Sequence, residues 1–228
     1  GIGSRFKKNG YSMPKALIKV FGKPIIFWLL DTLNIPYDTI VYIPYNKEYE
    51  KYRFEDLLRK KYPMITFKFH MLENDTRGAA ETINIALSQL NIDDQPIVSF
   101  DSDNFYLTDV LSLWNGENSV FCFDDCQNQA IYSYVNYDND KVIDIVEKEK
   151  ISDNACCGGY AFSSFKQLQA YTQYIIDNDI RQKEEFYTST VIKEMLQDDH
   201  KFHMIKIKKE EFVCLGTPIQ LKFFYNNY

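Results

Sequence analysis

The sequence predicts an α/β fold: a mixed central sheet with helices on both faces and a small antiparallel addition. Three observations predict it. In the first half, β-branched and aromatic runs alternate with helix-periodic segments at the spacing of βα units, which favours parallel pairing. In the second half, apolar runs follow one another with turn residues between them, which favours hairpins. Between the halves, Asp101-Ser102-Asp103 follows the apolar run 96–100. Open α/β sheets collect their ligands at such strand ends.

Each element can be justified in order. Residues 1–15 are polar, basic and glycine-containing, and read as a loop. Residues 16–20 form a short apolar stretch. Lys23-Pro24 then opens a helix over 25–33, because proline suits a first helical turn. Residues 39–43, halted by Pro44, read as a buried strand. Residues 48–60 are charged, with Phe54, Leu57 and Leu58 recurring, and read as a surface helix. The alternating run 65–72 predicts a strand. A helix over 79–90 places Ile83, Ala86, Leu87 and Leu90 on one face.

After residue 115 the pattern changes. Runs 119–123, 130–137 and 142–147 read as strands, the last two joined by a turn at Asp138-Asn139-Asp140. A short strand at 159–163, helices at 165–178 and 186–197, and a strand at 202–207 follow. Glu184-Glu185 reads as a pair of helix-start carboxylates. Residues 211–215 lead into Gly216-Thr217-Pro218. No repeat or linker interrupts the chain, so residues 1–228 read as one domain with two differently patterned halves, 1–115 and 116–228. The opening glycine loop reads as one that follows a strand placed before residue 1.

The 228 residues are 45% hydrophobic and carry a formal net charge of −6. That sign excludes a nucleic-acid backbone as partner, while local Arg and Lys with a metal still accommodate a nucleoside triphosphate. The odd count of 5 cysteines reads as reduced thiols in a cytoplasmic protein. No apolar stretch reaches the roughly 20 residues of a membrane span. Oligomeric state is not legible.

The chemistry-bearing residues lie in four segments. Gly1 and Gly3 let the backbone approach a phosphate closely; Ser4 adds a hydroxyl donor and Arg5 a rigid fork of donors. Lys15 adds a mobile positive charge. The segment lacks Gly-Lys-Ser/Thr, and Phe6 stands where a dinucleotide loop has its third glycine. Asp101 and Asp103 can hold one Mg²⁺ (or Mn²⁺) through either carboxylate or both, leaving positions for phosphate oxygens. Thr76, Gly78 and Ala79 join a strand to a helix and are small enough for a planar base to lie on the backbone. Glu81, in the first turn of that helix, reads as a dipole partner. Glu147 and Lys148, with Gly159 nearby, suit the hydroxyls and phosphate of a second substrate. Every one of these segments also has a plain structural reading, as a surface turn, an Asp-rich turn, a tight βα turn or a solvated charge run.

Taken in order, the pieces Gly1-x-Gly3-Ser4-Arg5, Pro14-Lys15-Ala16-Leu17, Gly22-Lys23-Pro24, Thr76-x-Gly78-x-Ala80, Asp101-x-Asp103, Glu147-Lys148, Gly158-Gly159-Tyr160 and Gly216-Thr217-Pro218 carry a resemblance. The chain resembles the sugar-phosphate nucleotidyltransferases of the Rossmann-like nucleotide-diphospho-sugar fold, from Gly1 to about Leu221. The form Phe212-x-Cys214-x-Gly216-Thr217-Pro218 is similar to a branch that serves bacterial capsules and surface polysaccharides. The resemblance implies that Gly1, Gly3 and Arg5 bind a triphosphate and that Lys15 neutralises departing pyrophosphate. It implies further that Gly78 marks the base pocket, that Asp103 with Asp101 holds the metal, and that Glu147, Lys148 and Gly159 meet a phosphorylated acceptor. Many relatives have an aspartate at the position of Cys214, so the metal would rest on Asp103 and phosphates, or on Glu211. Three alternatives stay open: a CTP-dependent enzyme acting on a phosphocholine- or phosphoglutamine-like acceptor, a glycosyltransferase, and a non-catalytic nucleotide-binding protein.

Overall fold

A computed structural model describes residues 3–227. Gly1, expected in the phosphate loop, lies outside the described residues. The segment read as a loop over 1–15 contains a short helix, α1 (Ser4–Lys8), entered through Gly3 at φ 62°. A 3₁₀ turn, Lys15–Leu17, leads to the small hairpin β1 (Lys19–Val20) and β2 (Lys23–Pro24), and then to α2 (Ile25–Thr32). β3 (Ile40–Asn46) runs straight through Pro44 and is only half-buried, with Ile40 exposed. Proline is tolerated there because β3 is paired with one neighbour, among the described residues. The helix expected over 48–60 is split: a 3₁₀ segment, Lys47–Tyr52, ends at left-handed Arg53, and α3 (Phe54–Lys61) follows. β4 (Thr66–Leu72), α4 (Ala79–Ser88) and β5 (Ile97–Phe100) fall close to the expected spans, and a short β6 (Asn104–Tyr106) comes next.

The second half contains β7 (Ser119–Asp124), β8 (Ser133–Asp138), β9 (Lys141–Glu147) and a nine-residue β10 (Asn154–Phe162). α5 (Phe165–Asp177), α6 (Thr188–Gln197), β11 (His203–Lys206), β12 (Phe212–Cys214) and α7 (Pro218–Asn227) complete the chain. The turn between β8 and β9 is the expected one, with Asn139 and Asp140 both left-handed. α6 starts two residues later than the pattern suggested. Glu184 and Glu185 therefore belong to a turn ahead of it, not to a helix start.

The principal sheet has the order β11-β7-β10-β8-β9, with β5 also on β10. β10 is antiparallel to β5, β7 and β8, whereas β7–β11 and β3–β4 are parallel. Parallel pairing is thus the minority, contrary to the βα spacing, because β10 runs antiparallel to β5, β7 and β8, and β8 and β9 form a hairpin. Alternate residues of β7 supply two cores, as period-two geometry requires. Val120 and Cys122 pack with Leu168 and Ile175 of α5 and Val191, Ile192 and Met195 of α6. Phe121 and Phe123 pack with α2, β6, β12 and Leu221 of α7. A sheet with helices on both faces follows directly.

α5 has an explicit N-terminal cap. Ser164 Oγ accepts from Gln167 N–H at 3.1 Å, and Asp94 accepts from both the Ser164 hydroxyl and Lys166 N–H. Ser164→Ala should lower unfolding free energy by about 1 kcal/mol, the usual worth of such a cap, in urea titrations at unchanged m-value. An unchanged midpoint would contradict the assignment.

Candidate active site

The end of β5 is built to hold two carboxylates. Asp101 N–H donates to Gly158 O at 2.8 Å, and Asn104 N–H closes a turn on Asp101 O at 3.2 Å. Asn104 Nδ2 and Tyr106 Oη both donate to Cys157 O, tying the turn to β10. Leu215 N–H donates to Asp103 O at 2.8 Å and brings in the end of β12. Lys15 reaches the same spot from the start of the chain, its Nζ 2.7 Å from Asp103 Oδ2. The 3₁₀ turn after Pro14 presents it, anchored where Ala16 N–H meets Tyr49 Oη. Gly3 lies beside it: a Cβ there would stand 3.3 Å from Lys15 Cβ.

The electrostatics of this cluster are strongly coupled. Burial opposes the charge on Asp103, but Lys15 outweighs it and holds the carboxyl below its usual range. Burial likewise disfavours charged Lys15, and the contact with Asp103 outweighs that and raises its pKa. Asp101 is pushed upward by its enclosing cleft first and by the Asp103 charge second, even though its side chain still reaches solvent. Cys214 stands alongside as a neutral thiol, pushed up to about 12 by burial and by Asp103. Glu211 Oε2 accepts the Lys208 N–H of its own turn.

Both aspartates face bare glycine. A Cβ on Gly158 would lie 2.7 Å from Asp101 Oδ2, and one on Gly216 would lie 2.5 Å from Asp103 Oδ2. Among the described residues no group of three or more His, Cys, Asp or Glu side chains is arranged to hold a metal. Two carboxylates in a glycine-lined recess fit a hard cation whose remaining ligands come from water and phosphate.

A second cluster forms around Glu147. Glu147 is buried at the end of β9, and its Oε2 accepts from Ser133 and Ser189 hydroxyls. Its Oε1 lies 3.7 Å from Lys148 Nζ, which also hydrogen-bonds Tyr187 Oη. Burial raises the Tyr187 pKa, the Glu185 and Glu147 charges add to this, and Arg5 opposes it. The exposed Arg5 of α1 and the Glu147 cluster therefore share one electrostatic field. Glu147 also contributes to the upward shift of Asp101, which links the two clusters.

The remaining expected positions divide. Ser4 is exposed on α1. Thr76, whose hydroxyl meets that of Thr82 at 2.6 Å, lines a cavity of about 300 Å³ with His70, Glu73 and Asp75. Ala79 is exposed at the start of α4. Gly78 is glycine for a reason internal to the fold: at φ 153° its Cβ position lies 2.3 Å from Phe186 O. Gly159 is closed in by the rings of Phe121 and Phe100, so its bareness serves the packing of β10. Glu81 accepts from Arg77 N–H and the Arg77 guanidinium, as a first-turn acid does. Sequence reasoning missed Ser133, Gln182, Tyr187 and Ser189 around Glu147. They come from separate elements and share no local spacing.

No protein-family model matches the chain. A bifunctional protein GlmU of Sulfurovum sp. is 25% identical over 232 residues, covering 97% of this chain. The chain spans about half the length of that curated relative. Among solved structures, the nucleoside-diphosphate-sugar pyrophosphorylase of Vibrio cholerae superposes with a TM-score of 0.87 at 22% identity, over 100% of this chain and 97% of that one. This chain has the nucleotidyltransferase fold. The inositol-1-phosphate CTP transferase of T. maritima superposes with a TM-score of 0.77 at 9% identity, over 96% of this chain and 87% of that one. Within this fold, the Lys15–Asp103 contact joins the loop just after β5 to the 3₁₀ turn Lys15–Leu17. Among the described residues no helix is long and apolar enough to cross a membrane.

Two outcomes follow for the turn that frames the cleft. Gly78→Ala should cost about 2 kcal/mol or more, because backbone must move at a strained φ; a denaturation midpoint equal to the parent's would contradict the close approach. Glu81 is partly buried, which raises its pKa, but Arg77 outweighs this and lowers it. A lowered folded pKa gives stability above the unfolded value and loses it as pH falls through the folded value. The melting-temperature gap between parent and Glu81→Gln should thus be present at pH 6 and shrink below about pH 4. A gap that widens on acidification would have the wrong sign.

Proposed function

We propose that the chain is a nucleotidyltransferase that moves a nucleoside monophosphate from a nucleoside triphosphate to a phosphorylated acceptor and releases pyrophosphate. One observation carries the reading: a mostly buried lysine from the opening segment contacts the strand-end aspartate at 2.7 Å. Their side chains are 18% and 17% exposed, so the pair lies in the cleft and not on the outer surface. The fold it shares with the Vibrio cholerae and T. maritima structures supports the same reading.

The acceptor phosphate is already anionic and needs no strong general base. Lys15 and Arg5 would sit against the triphosphate and stabilise the charge that grows on pyrophosphate as the α-phosphorus is attacked in line. Lys148 would hold the acceptor phosphate, and Glu147, fixed by two serine hydroxyls, would orient the acceptor's body. Asp103 and Asp101 would hold Mg²⁺, which when bound supplies charge neutralisation on the phosphates. Cys214, a neutral thiol, adds little to such a hard cation. The base would lie near Thr76, where the cavity beside α4 opens.

Pyrophosphate release on mixing a nucleoside triphosphate with an acceptor phosphate tests the reading. Lys15→Met should lower the rate roughly 100-fold or more. It should also destabilise the fold, because it leaves Asp103 ionised and unpaired in a mostly buried place. The double variant Lys15→Met/Asp103→Asn should regain thermal stability without regaining activity. Parent-like turnover in either variant would contradict the assignment.

A further inference from the structure

One side chain beside Glu147 has an amide donor with no partner among the described residues. Gln182 Oε1 accepts the Glu147 backbone N–H at 2.8 Å. That contact fixes the amide's orientation, because an N–H can meet only the oxygen. The other end, Nε2, is buried and has no hydrogen-bond partner among the described residues. A buried amide donor without a partner is costly and rare, so it calls for an explanation.

The fold goes to some length to keep Gln182 there. Gln182 and Glu185 exchange both backbone hydrogen bonds across a tight turn. The two central residues, Lys183 and Glu184, are left-handed at φ 47° and 70°, and neither is glycine. Such a turn is strained for ordinary side chains. Phe186, which follows, is clamped between the guanidinium groups of Arg77 and Arg181 and is bonded through its backbone to Arg77 and Ala80. Tyr187, next in line, holds Lys148. The turn therefore delivers Gln182 and Tyr187 together onto Glu147 and Lys148, from 35 and 39 residues away in sequence.

We infer that Gln182 is an acceptor-selecting residue, whose Nε2 donates to an oxygen of the acceptor beside Glu147. This rests on the transferase reading above. A hydroxyl is the group that satisfies both neighbours: its oxygen accepts from Gln182 Nε2, and its proton goes to Glu147 Oε1. Glu147 Oε2 is already engaged by two serines, and Oε1 lies 3.7 Å from Lys148 Nζ. Lys148 beside it suits the acceptor's phosphate. A quaternary ammonium group offers no hydroxyl at this place and leaves the amide donor unpaired. A site built to bond a hydroxyl rejects an analogue that lacks it by large factors.

The test is a steady-state comparison of parent, Gln182→Glu and Gln182→Met, read by pyrophosphate release. CTP, UTP and dTTP are each combined with glucose 1-phosphate, inositol 1-phosphate and phosphocholine. Gln182→Glu keeps an oxygen for the Glu147 N–H and replaces the amide donor by a carboxylate oxygen, with a second negative charge beside Glu147; Gln182→Met removes both polar atoms at similar volume. The parent should prefer a hydroxylated acceptor to phosphocholine by roughly 100-fold or more in kcat/KM. Both variants should raise the KM of that acceptor about 10-fold or more, with the triphosphate KM within about twofold of the parent's. Thermal melts identify a variant that fails to fold, and the Gln182→Glu result then carries the comparison.

A parent-like acceptor KM in Gln182→Glu, with loss only in Gln182→Met, would show that Oε1 alone matters and would overturn the inference. Preferred use of phosphocholine would overturn it while leaving the transferase reading intact. No pyrophosphate release with any pair would remove both.

Discussion

The contact between Lys15 and Asp103 is the constraint on which the rest of the cleft depends. It joins residues 88 positions apart and brings the opening segment, the end of β5 and the end of β12 to one point. A mostly buried pair of opposite charges persists only if each partner has the other, since removing either leaves an uncompensated charge. Each partner stabilises the other's charge: the acid is held down and the base held up, each against its own desolvation. Asp101 is shifted the opposite way, because its cleft and its neighbour both disfavour a second negative charge. Arranged thus, the strand end presents one fixed anion, one fixed cation and one carboxylate that a cation would readily ionise.

The surrounding architecture serves that arrangement. β10 crosses between β5 and β7, and its two glycines pass the Asp101 carboxylate and the Phe100 and Phe121 rings with no room for a side chain. Gly216 does the same for Asp103 from the β12 side. On the far wall, Glu147 is held by hydroxyls from β8 and α6, so its position is set by three elements and not by its own rotamer freedom. The two walls meet electrostatically through Glu147 and Asp101, and through Arg5 and Tyr187.

Much of this was legible in the sequence where a local signal coincided with a structural need. The apolar run before Asp101 marked a strand end, and Asp138-Asn139-Asp140 marked a hairpin whose left-handed residues the structure contains. Illegible features had non-local causes. β6 is three residues long and exists because β12 pairs with it. β10 extends N-terminally beyond the short strand that the sequence predicts, although its register with β7 shifts between Cys156 and Tyr160, because β5 takes up pairing from Gly159 onward. Pro44 looked like a stop, yet a strand with a neighbour on one side accommodates it. Gln182, Tyr187 and Ser189 carry no motif, and only the strained turn after α5 brings them to Glu147.

The central claim is that one polyphosphate bridges Lys15 and the strand-end aspartates. A crystal structure with a non-hydrolysable triphosphate analogue and Mg²⁺ tests it most directly. The expected result is phosphate oxygens within hydrogen-bonding distance of Lys15 Nζ, in a site where Asp103 and Asp101 would hold the cation. A triphosphate bound on another face of the sheet, with the Lys15–Asp103 contact unchanged and empty of ligand, would contradict it.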